Sequence, residues 1–173
     1  MVIKMLEGAN IVLRPWVNKD LAALTPLRND VKLQAQLHAR PRGSNEEQVK
    51  DWLQGFAQDD QSIFLVIADK SDEVAGFIQV KNIDALNRRA EIGIGLTPGK
   101  TGKGLGSEAI GLLGCYLKDT WNLRKIILQV SSDNLLAIGA YKKCGFQICG
   151  EFHAHVFIEG QWQDVTLMEL FLQ

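Results

Sequence analysis

The sequence predicts an α+β fold: a mixed, mostly antiparallel central sheet of about seven strands with about four helices. Three stretches carry that reading. Residues 62–96 hold three apolar runs joined by short polar links, the pattern of an antiparallel meander. Residues 90–130 run strand, glycine-rich loop, amphipathic helix, strand, which is the order of a parallel crossover. Residues 146–172 are strand-like on either side of the turn Glu159-Gly160-Gln161. The 173 residues suit a single domain spanning 1–173.

In chain order, Ile11 to Trp16 reads as a strand stopped by Pro15. Asn18 is placed to cap a helix with apolar positions at 21, 24 and 27, and a second helical pattern covers Val31 to Leu37. The segment 39–45 is the most loop-like of the chain. Ser44 opens a Ser-x-x-Glu capping pattern, ending at Glu47, for a helix reaching about Phe56. Arg40, Arg42, Glu46 and Glu47 read either as a solvated face or as part of a substrate wall. Strands follow at 62–68, 74–83 and 90–96, a helix at 105–117, a buried-type strand at 125–130, and a helix at 135–143 stopped by Gly145. Phe146 to Glu151, His153 to Ile158 and Trp162 to Leu172 close the chain as strands.

Composition excludes several classes. A hydrophobic share of 46% against 23% charged residues implies a globular chain rather than a disordered one. The net charge of −1 gives no electrostatic case for nucleic acid or an anionic membrane. No apolar run is long enough to span a bilayer, and Lys4 and Glu7 interrupt any signal-like segment. Cys115, Cys144 and Cys149 are odd in number and lack a Cys-x-x-Cys pair, so a cytoplasmic protein without disulfides is expected, and none of the three has a sequence partner that would make it a nucleophile. His153 and His155, two apart on a strand, are expected to face the same side, but without a third ligand they make no metal site. The oligomeric state is not fixed by the sequence, and a homodimer stands open.

The chemistry concentrates in Arg89 to Ser107, RAEIGIGLTPGKTGKGLGS. Its loop lies between a strand and a helix N-terminus, where backbone N–H groups lack intrahelical partners and the helix dipole adds partial positive charge. Such a place suits a phosphate or pyrophosphate. A P-loop would need glycine at 94, which is Ile; a Rossmann fingerprint would need glycine at 107, which is Ser. Gly93 and Gly95, two apart on the strand, predict a bulge or a close backbone approach. A ligand-free glycine turn is the plain alternative.

Gly102-Lys103-Gly104-Leu105-Gly106 after a strand resembles the acetyl-CoA loop of the GNAT N-acetyltransferases, Arg/Gln-x-x-Gly-x-Gly/Ala, with Thr101 departing from the pattern at its first position. Asn134-Leu-Leu-Ala137-Ile-Gly-Ala-Tyr141-Lys-Lys-Cys-Gly145-Phe146 resembles that family's second acetyl-CoA segment at every defining position, in the family's order. Arg88 to Glu91 and the tail from Glu151 to Met168 look like the subgroup of ribosomal-protein N-terminal and spermidine acetyltransferases. The resemblance implies the acyl-CoA N-acyltransferase fold, acetyl-CoA as cosubstrate, no metal, and direct transfer to an amine in a ternary complex. It implies that acetyl-CoA is held by Ile94, Gly95, Leu96, Thr101, Gly102, Lys103, Gly104, Leu105, Gly106, Ser107, Asn134, Ala137 and Tyr141. It implies Tyr141 as the acid that protonates the leaving thiolate. Glu91 is implied to bind the amine or to deprotonate it, directly or through water, although a solvent-side charge on the strand reads equally well. A protein N-terminal amine is the first expectation for the acceptor, because Lys32 to Arg42 carries no carboxylate for a polycation. A polyamine or amino sugar is the alternative, and a non-catalytic CoA sensor the third reading.

Overall fold

The computed structural model describes residues 3–173. Eight strands form one sheet: β1 (Leu6–Glu7), β2 (Ile11–Arg14), β3 (Ile63–Asp69), β4 (Val74–Asp84), β5 (Arg89–Leu96), β6 (Lys125–Ser131), β7 (Gln147–Ile158) and β8 (Gln161–Phe171). Their order is β1-β2-β3-β4-β5-β6-β8-β7, and every neighbouring pair is antiparallel except β5 with β6. The helices are α1 (Leu21–Asn29), α2 (Val31–Gln36), α3 (Glu46–Ala57), α4 (Leu105–Asp119) and α5 (Leu135–Lys143), with a 3₁₀ turn at Asn18–Asp20. The fold class is the expected one, with a strand and a helix more than the expected counts. β1 is two residues long and has no run of apolar residues to announce it.

Strand alternation sorts the core into two layers. On β3, Leu65 and Ile67 turn to one face and join Ile11, Leu13, Ile78, Ile92 and Ile126 beneath α4, whose Ile110, Leu113 and Leu117 supply the helical side. Phe64, Val66 and Ala68 turn to the other face and meet Leu24, Leu27, Val49 and Leu53 of α1 and α3. The capping details differ from the sequence reading. α3 is capped one residue later than predicted: Asn45 accepts from the Gln48 N–H at 2.9 Å and Gln48 reaches back at 3.0 Å. Asn18 lies inside the 3₁₀ turn, and the carboxylate of Asp20 accepts the Val17 N–H instead. β7 is one strand, but its register slips between Phe152 and Val156, with Ala154 at φ 45°. That slip breaks the alternation that would have put His153 and His155 on one side.

The segment from α1 to α3 is firmly built. Asp30 caps α2 by accepting from Leu33 N–H at 2.9 Å. Buried Gln34 donates to the Leu27 carbonyl at 2.8 Å and accepts from Arg28 at 2.9 Å. Asn29 holds both the N–H and the carbonyl of Ser44, at 2.8 and 2.7 Å, closing the loop after α2 onto α1. α2 ends in a Schellman motif: the Ala39 N–H reaches the Gln34 carbonyl at 2.8 Å and the His38 N–H reaches Ala35 at 3.0 Å. His38 thereby occupies the left-handed position, φ 54°, where glycine is the usual residue.

Arg14 is wholly buried and ties three elements together. It grips both oxygens of buried Asp20, at 2.7 and 3.0 Å, and Asp72 in the β3–β4 turn at 2.7 Å. The Asp20 hydrogen bonds raise the guanidinium pKa against the burial that would lower it. Arg14→Leu should cost about 3–5 kcal/mol in chemical denaturation, because it leaves the Asp20 carboxylate buried and uncompensated. Lys19, and then Arg14, hold the Asp72 carboxyl below its ordinary value, outweighing its desolvation. That stability is present above the unfolded aspartate pKa of about 3.9 and is lost as pH falls through the folded value. Asp72→Asn should therefore melt lower than the parent at neutral pH, and the gap should close on acidification below about pH 4.

Candidate active site

The central feature is a gap between β5 and β6. The two strands pair only over Arg89–Lys125, Ala90–Ile126 and Glu91–Ile127, then diverge. β5 stays paired to β4 along its other edge as far as Leu96, and β6 to β8 as far as Ser131. The inner edges, residues 92–96 and 128–131, face one another without a strand between them. A cavity of about 100 Å³ opens there.

That cavity brings together Glu91, Ile94, Asn134, Ala137 and Tyr141, five of the residues marked in the sequence. Glu91 stands at the vertex of the gap, opposite Lys81 on β4, and accepts from Asn82 Nδ2 at 3.2 Å. On its other side it borders a wider opening of about 640 Å³ that also takes in Asp60, Asp84 and Trp121. Asn134 caps α5 by accepting the Ala137 N–H at 3.2 Å, leaving its amide nitrogen as the group it can offer. Tyr141 sits two turns along α5, edge-on to Phe146 at 5.8 Å between ring centres. Desolvation, helped by nearby Cys144, pushes its phenol up to about 12, so the hydroxyl is a protonated donor across the physiological range.

Gly95 and Leu96 lie further along the free edge of β5, which leads into the glycine loop. No bulge forms at Gly93 or Gly95; the β4–β5 register is unbroken there and slips only between Lys81 and Asp84. The close approach is by side chains. A Cβ at Gly93 would stand 3.0 Å from Gln79 Nε2 and 3.4 Å from Leu37, and one at Gly95 would stand 2.9 Å from the Phe77 ring and 3.3 Å from Leu33. The two glycines make room for α2 and for Gln79.

Thr101, Gly102, Lys103, Gly104, Leu105, Gly106 and Ser107 form the loop and the first turn of α4, away from the cavity of Tyr141. Gly102 and Gly104 have φ 74° and 78°, and open space surrounds the position of each missing Cβ. Here the glycines are required by backbone conformation rather than by crowding. Gly104 is the N-cap of α4 and gives no side-chain cap, so the first-turn N–H groups point outward unclaimed by a side chain. The one acid of that turn, Glu108, is engaged by Asn10, whose N–H and Nδ2 donate at 2.8 and 3.0 Å.

His38, Gln79 and Lys81 also line the Tyr141 cavity, and the sequence reading passed over all three. Gln79 had a signal: it is a polar residue within the apolar run of β4. His38 had none, since the loop after α2 reaches the cavity only through tertiary packing. His153 and His155 go separate ways. His155 packs against Phe152 at a tilt, 4.5 Å between ring centres, and borders an opening of about 400 Å³ shared with His38 and Arg40. His153 lies 3.4 Å from Glu151 and 3.6 Å from Asp164, three exposed groups, with Asp164 accepting the Ala154 N–H at 2.7 Å.

The sequence pattern of the acetyltransferase (GNAT) domain family matches residues 10–147. The chain belongs to the GNAT acetyltransferase family. It is an acetyl-CoA-dependent N-acetyltransferase with the mixed sheet of that fold. The spermidine N(1)-acetyltransferase of Escherichia coli K12 is 30% identical over 167 residues, 96% of this chain and 89% of the relative. The ribosomal-protein-serine acetyltransferase of the same strain is 27% identical over 144 residues, 81% of this chain and 79% of the relative. The crystal structure of spermidine N-acetyltransferase from Vibrio cholerae in complex with CoA and spermine superposes with a TM-score of 0.88 at 25% identity, covering 95% of this chain and 97% of that one. No helix among the described residues of the acetyltransferase is long and apolar enough to cross a membrane.

The raised phenol gives a direct test of the cavity's polarity. A phenolate absorbance titration of the parent minus that of Tyr141→Phe should show the Tyr141 hydroxyl ionising above the ordinary tyrosine value of about 10. A difference titration centred at or below that value would mean that the ring is solvated.

Proposed function

We propose that this acetyltransferase moves the acetyl group of acetyl-CoA directly to the primary amine of a small molecule, with Tyr141 as general acid and Glu91 at the acceptor end. The observation that carries the proposal is the divergence of β5 and β6, which leaves a row of unpaired backbone groups running from Glu91 toward the glycine loop. Those groups suit the amides of a pantetheine arm, and the uncapped N-terminus of α4 suits a pyrophosphate.

The transfer needs a neutral amine, a fixed carbonyl, and a proton for the departing thiolate. As the C–N bond forms and the C–S bond breaks, the Tyr141 hydroxyl gives its proton to sulfur and is refilled from solvent. Against a free thiol of about 8.5, a phenol near 12 is a poor acid by about 3.5 pK units, or about 5 kcal/mol. The desolvation that raises the phenol raises an enclosed thiol as well, so the gap narrows when both share the cavity. Cys115, Cys144 and Cys149 take no part; two are exposed and Cys144 lies beside the Gly145 turn.

Two observations favour a small amine over the protein N-terminus. The likeness to the spermidine acetyltransferases spans more of the chain than the likeness to the ribosomal-protein enzyme. The carboxylates that the Lys32–Arg42 wall lacks are found elsewhere: Asp60 and Asp84 flank the opening beside Glu91 and supply counter-charge for a cationic acceptor. Asp84 is partly engaged by Arg89 at 3.4 Å, which leaves Asp60 as the freer of the two. An alkyl amine near 10.4 costs about 3.5 kcal/mol more to deprotonate than an α-amine, so the acceptor end must favour the neutral form.

A panel of spermidine, glucosamine and a serine-initiated peptide, scored by free thiol release, tests the acceptor. A small amine should exceed the peptide in kcat/KM by at least about tenfold, a difference of about 1.4 kcal/mol; preference for the peptide would return the acceptor to the protein N-terminus. Tyr141→Phe should lower kcat by roughly 10²-fold with little change in KM for acetyl-CoA. Gly104→Asn should weaken acetyl-CoA binding slightly, since asparagine tolerates a left-handed backbone, whereas Gly104→Asp should weaken it by more than about tenfold by adding a negative charge to the cradle. Equal calorimetric affinities for the two variants would move the pyrophosphate off the α4 N-terminus.

A further inference from the structure

We infer that His38 and Gln79 form the seat of the acceptor amine, with His38 taking the proton the amine loses. The inference rests on the proposed acetyl transfer at this cleft. Among the described residues, three buried side-chain polar atoms lack a hydrogen-bond partner: Thr25 Oγ1, Gln79 Oε1 and His38 Nε2. Two of the three belong to residues lining the one small cavity that also holds Glu91 and Tyr141. Gln79 is only 7% exposed, and its Oε1 forgoes a hydrogen bond that a folded protein rarely leaves unmade. Gly93 is what keeps the space for its carboxamide, as a Cβ there would press on Nε2 at 3.0 Å.

His38 carries a second mark. It occupies the left-handed position of the α2 Schellman motif, where glycine fits without strain, and the surrounding anchors of α2 hold it there. Strain held by surrounding structure clusters where a side chain is needed for chemistry. Burial, reinforced by His155, lowers the His38 pKa, so its imidazole is neutral at physiological pH and Nε2 can accept.

The chemistry of a primary amine matches this pair. In its nucleophilic form the amine has two N–H donors and one lone pair. Gln79 Oε1 and His38 Nε2 are two neutral acceptors, and holding both N–H groups leaves the lone pair for the thioester carbonyl. Neutral acceptors do not favour the ammonium over the amine as a carboxylate would. As the C–N bond forms, nitrogen gains positive charge and one N–H proton passes to His38 Nε2. The C–S bond breaks, and Tyr141 protonates the sulfur. The imidazolium then loses its proton to solvent through the larger opening that His38 shares with His155. The charged and titratable groups facing His38 are Lys81 and Glu91 on β4 and β5, Tyr141 on α5, Arg40 in its own loop, and His155 and Glu159 on the β7–β8 hairpin.

Three readouts test the assignment. In the CoA-bound protein, adding propylamine should shift the NMR signals of both the His38 imidazole and the Gln79 carboxamide; if neither moves, the seat is elsewhere. His38→Gly should keep or raise the melting temperature and leave acetyl-CoA affinity unchanged, while kcat/KM for spermidine falls by about 10²-fold. In the parent, the slope of log kcat/KM against pH should steepen from one to two as His38 protonates below the ordinary imidazole value of about 6.5. His155→Gln should keep that steepening and His38→Gly should abolish it. A His38→Gly enzyme within threefold of the parent, or one that keeps the steep limb, overturns the inference. Failure of the parent to bind acetyl-CoA would instead strike the acetyl-transfer reading beneath it.

Discussion

The organisation of this molecule depends on one failure of pairing. β5 and β6 share three residue pairs and then part, although each continues for several residues. A sheet normally tolerates no internal gap, because buried backbone N–H and C=O groups must find partners. Here the outer edge of each strand is fully occupied, by β4 on one side and β8 on the other, so neither strand can turn inward to close the gap. The vertex fixes where Glu91 stands, the far end of β5 fixes where the glycine loop begins, and α5 can reach the opening only from its β6 side. The placement of Tyr141 follows from that last constraint.

The side facing α2 is built by subtraction. Gly93 and Gly95 remove two side chains from β5, and Leu33 of α2 and Leu37 at its C-cap settle into the vacated space. This brings the end of a short helix over the middle of the sheet, where a connecting loop would otherwise leave backbone groups unsatisfied. The Gln34, Asn29 and Asp30 hydrogen bonds then fix the helix at both ends. A residue displayed from that helix end is held with the precision of an element rather than the latitude of a loop.

Much of this was legible in the sequence. The crossover 90–130 was plain because strand, glycine loop and amphipathic helix follow in order, and the helix at 135–143 was bounded by Gly145 as the structure has it. Local patterns of this kind report on local geometry, which is why the α3 cap was misplaced by only one residue. What the sequence did not yield depends on contacts between segments distant in the chain. His38 comes from a loop far earlier in the chain than its β4 neighbours Gln79 and Lys81, and no periodicity marks it. The sequence reading looked for carboxylates only within Lys32 to Arg42, whereas Asp60 and Asp84 reach the opening beside Glu91 from other segments of the chain. The alternation that grouped His153 with His155 failed because a register slip in β7 has no signature in these residues. Arg14 was read as part of a strand, and its burial with Asp20 and Asp72 required three separate elements to meet.

The same gap has a mechanical meaning. The sheet amounts to two plates, β1 to β5 carrying α1 to α3, and β6 to β8 carrying α5. Along the sheet they are joined at three residue pairs, and α4 shares one continuous core with Ile11 and Leu13 of the first plate and Ile126 and Met168 of the second. The three pairs lie at one end of β5 and β6, so the far ends of the two strands are joined only through the core beneath them. The walls of the gap ride on opposite plates: His38 on one, Tyr141 and His155 on the other. A rotation about residues 89–91 would change the distance at the mouth more than at the vertex, because the walls meet at the three pairs and part beyond them.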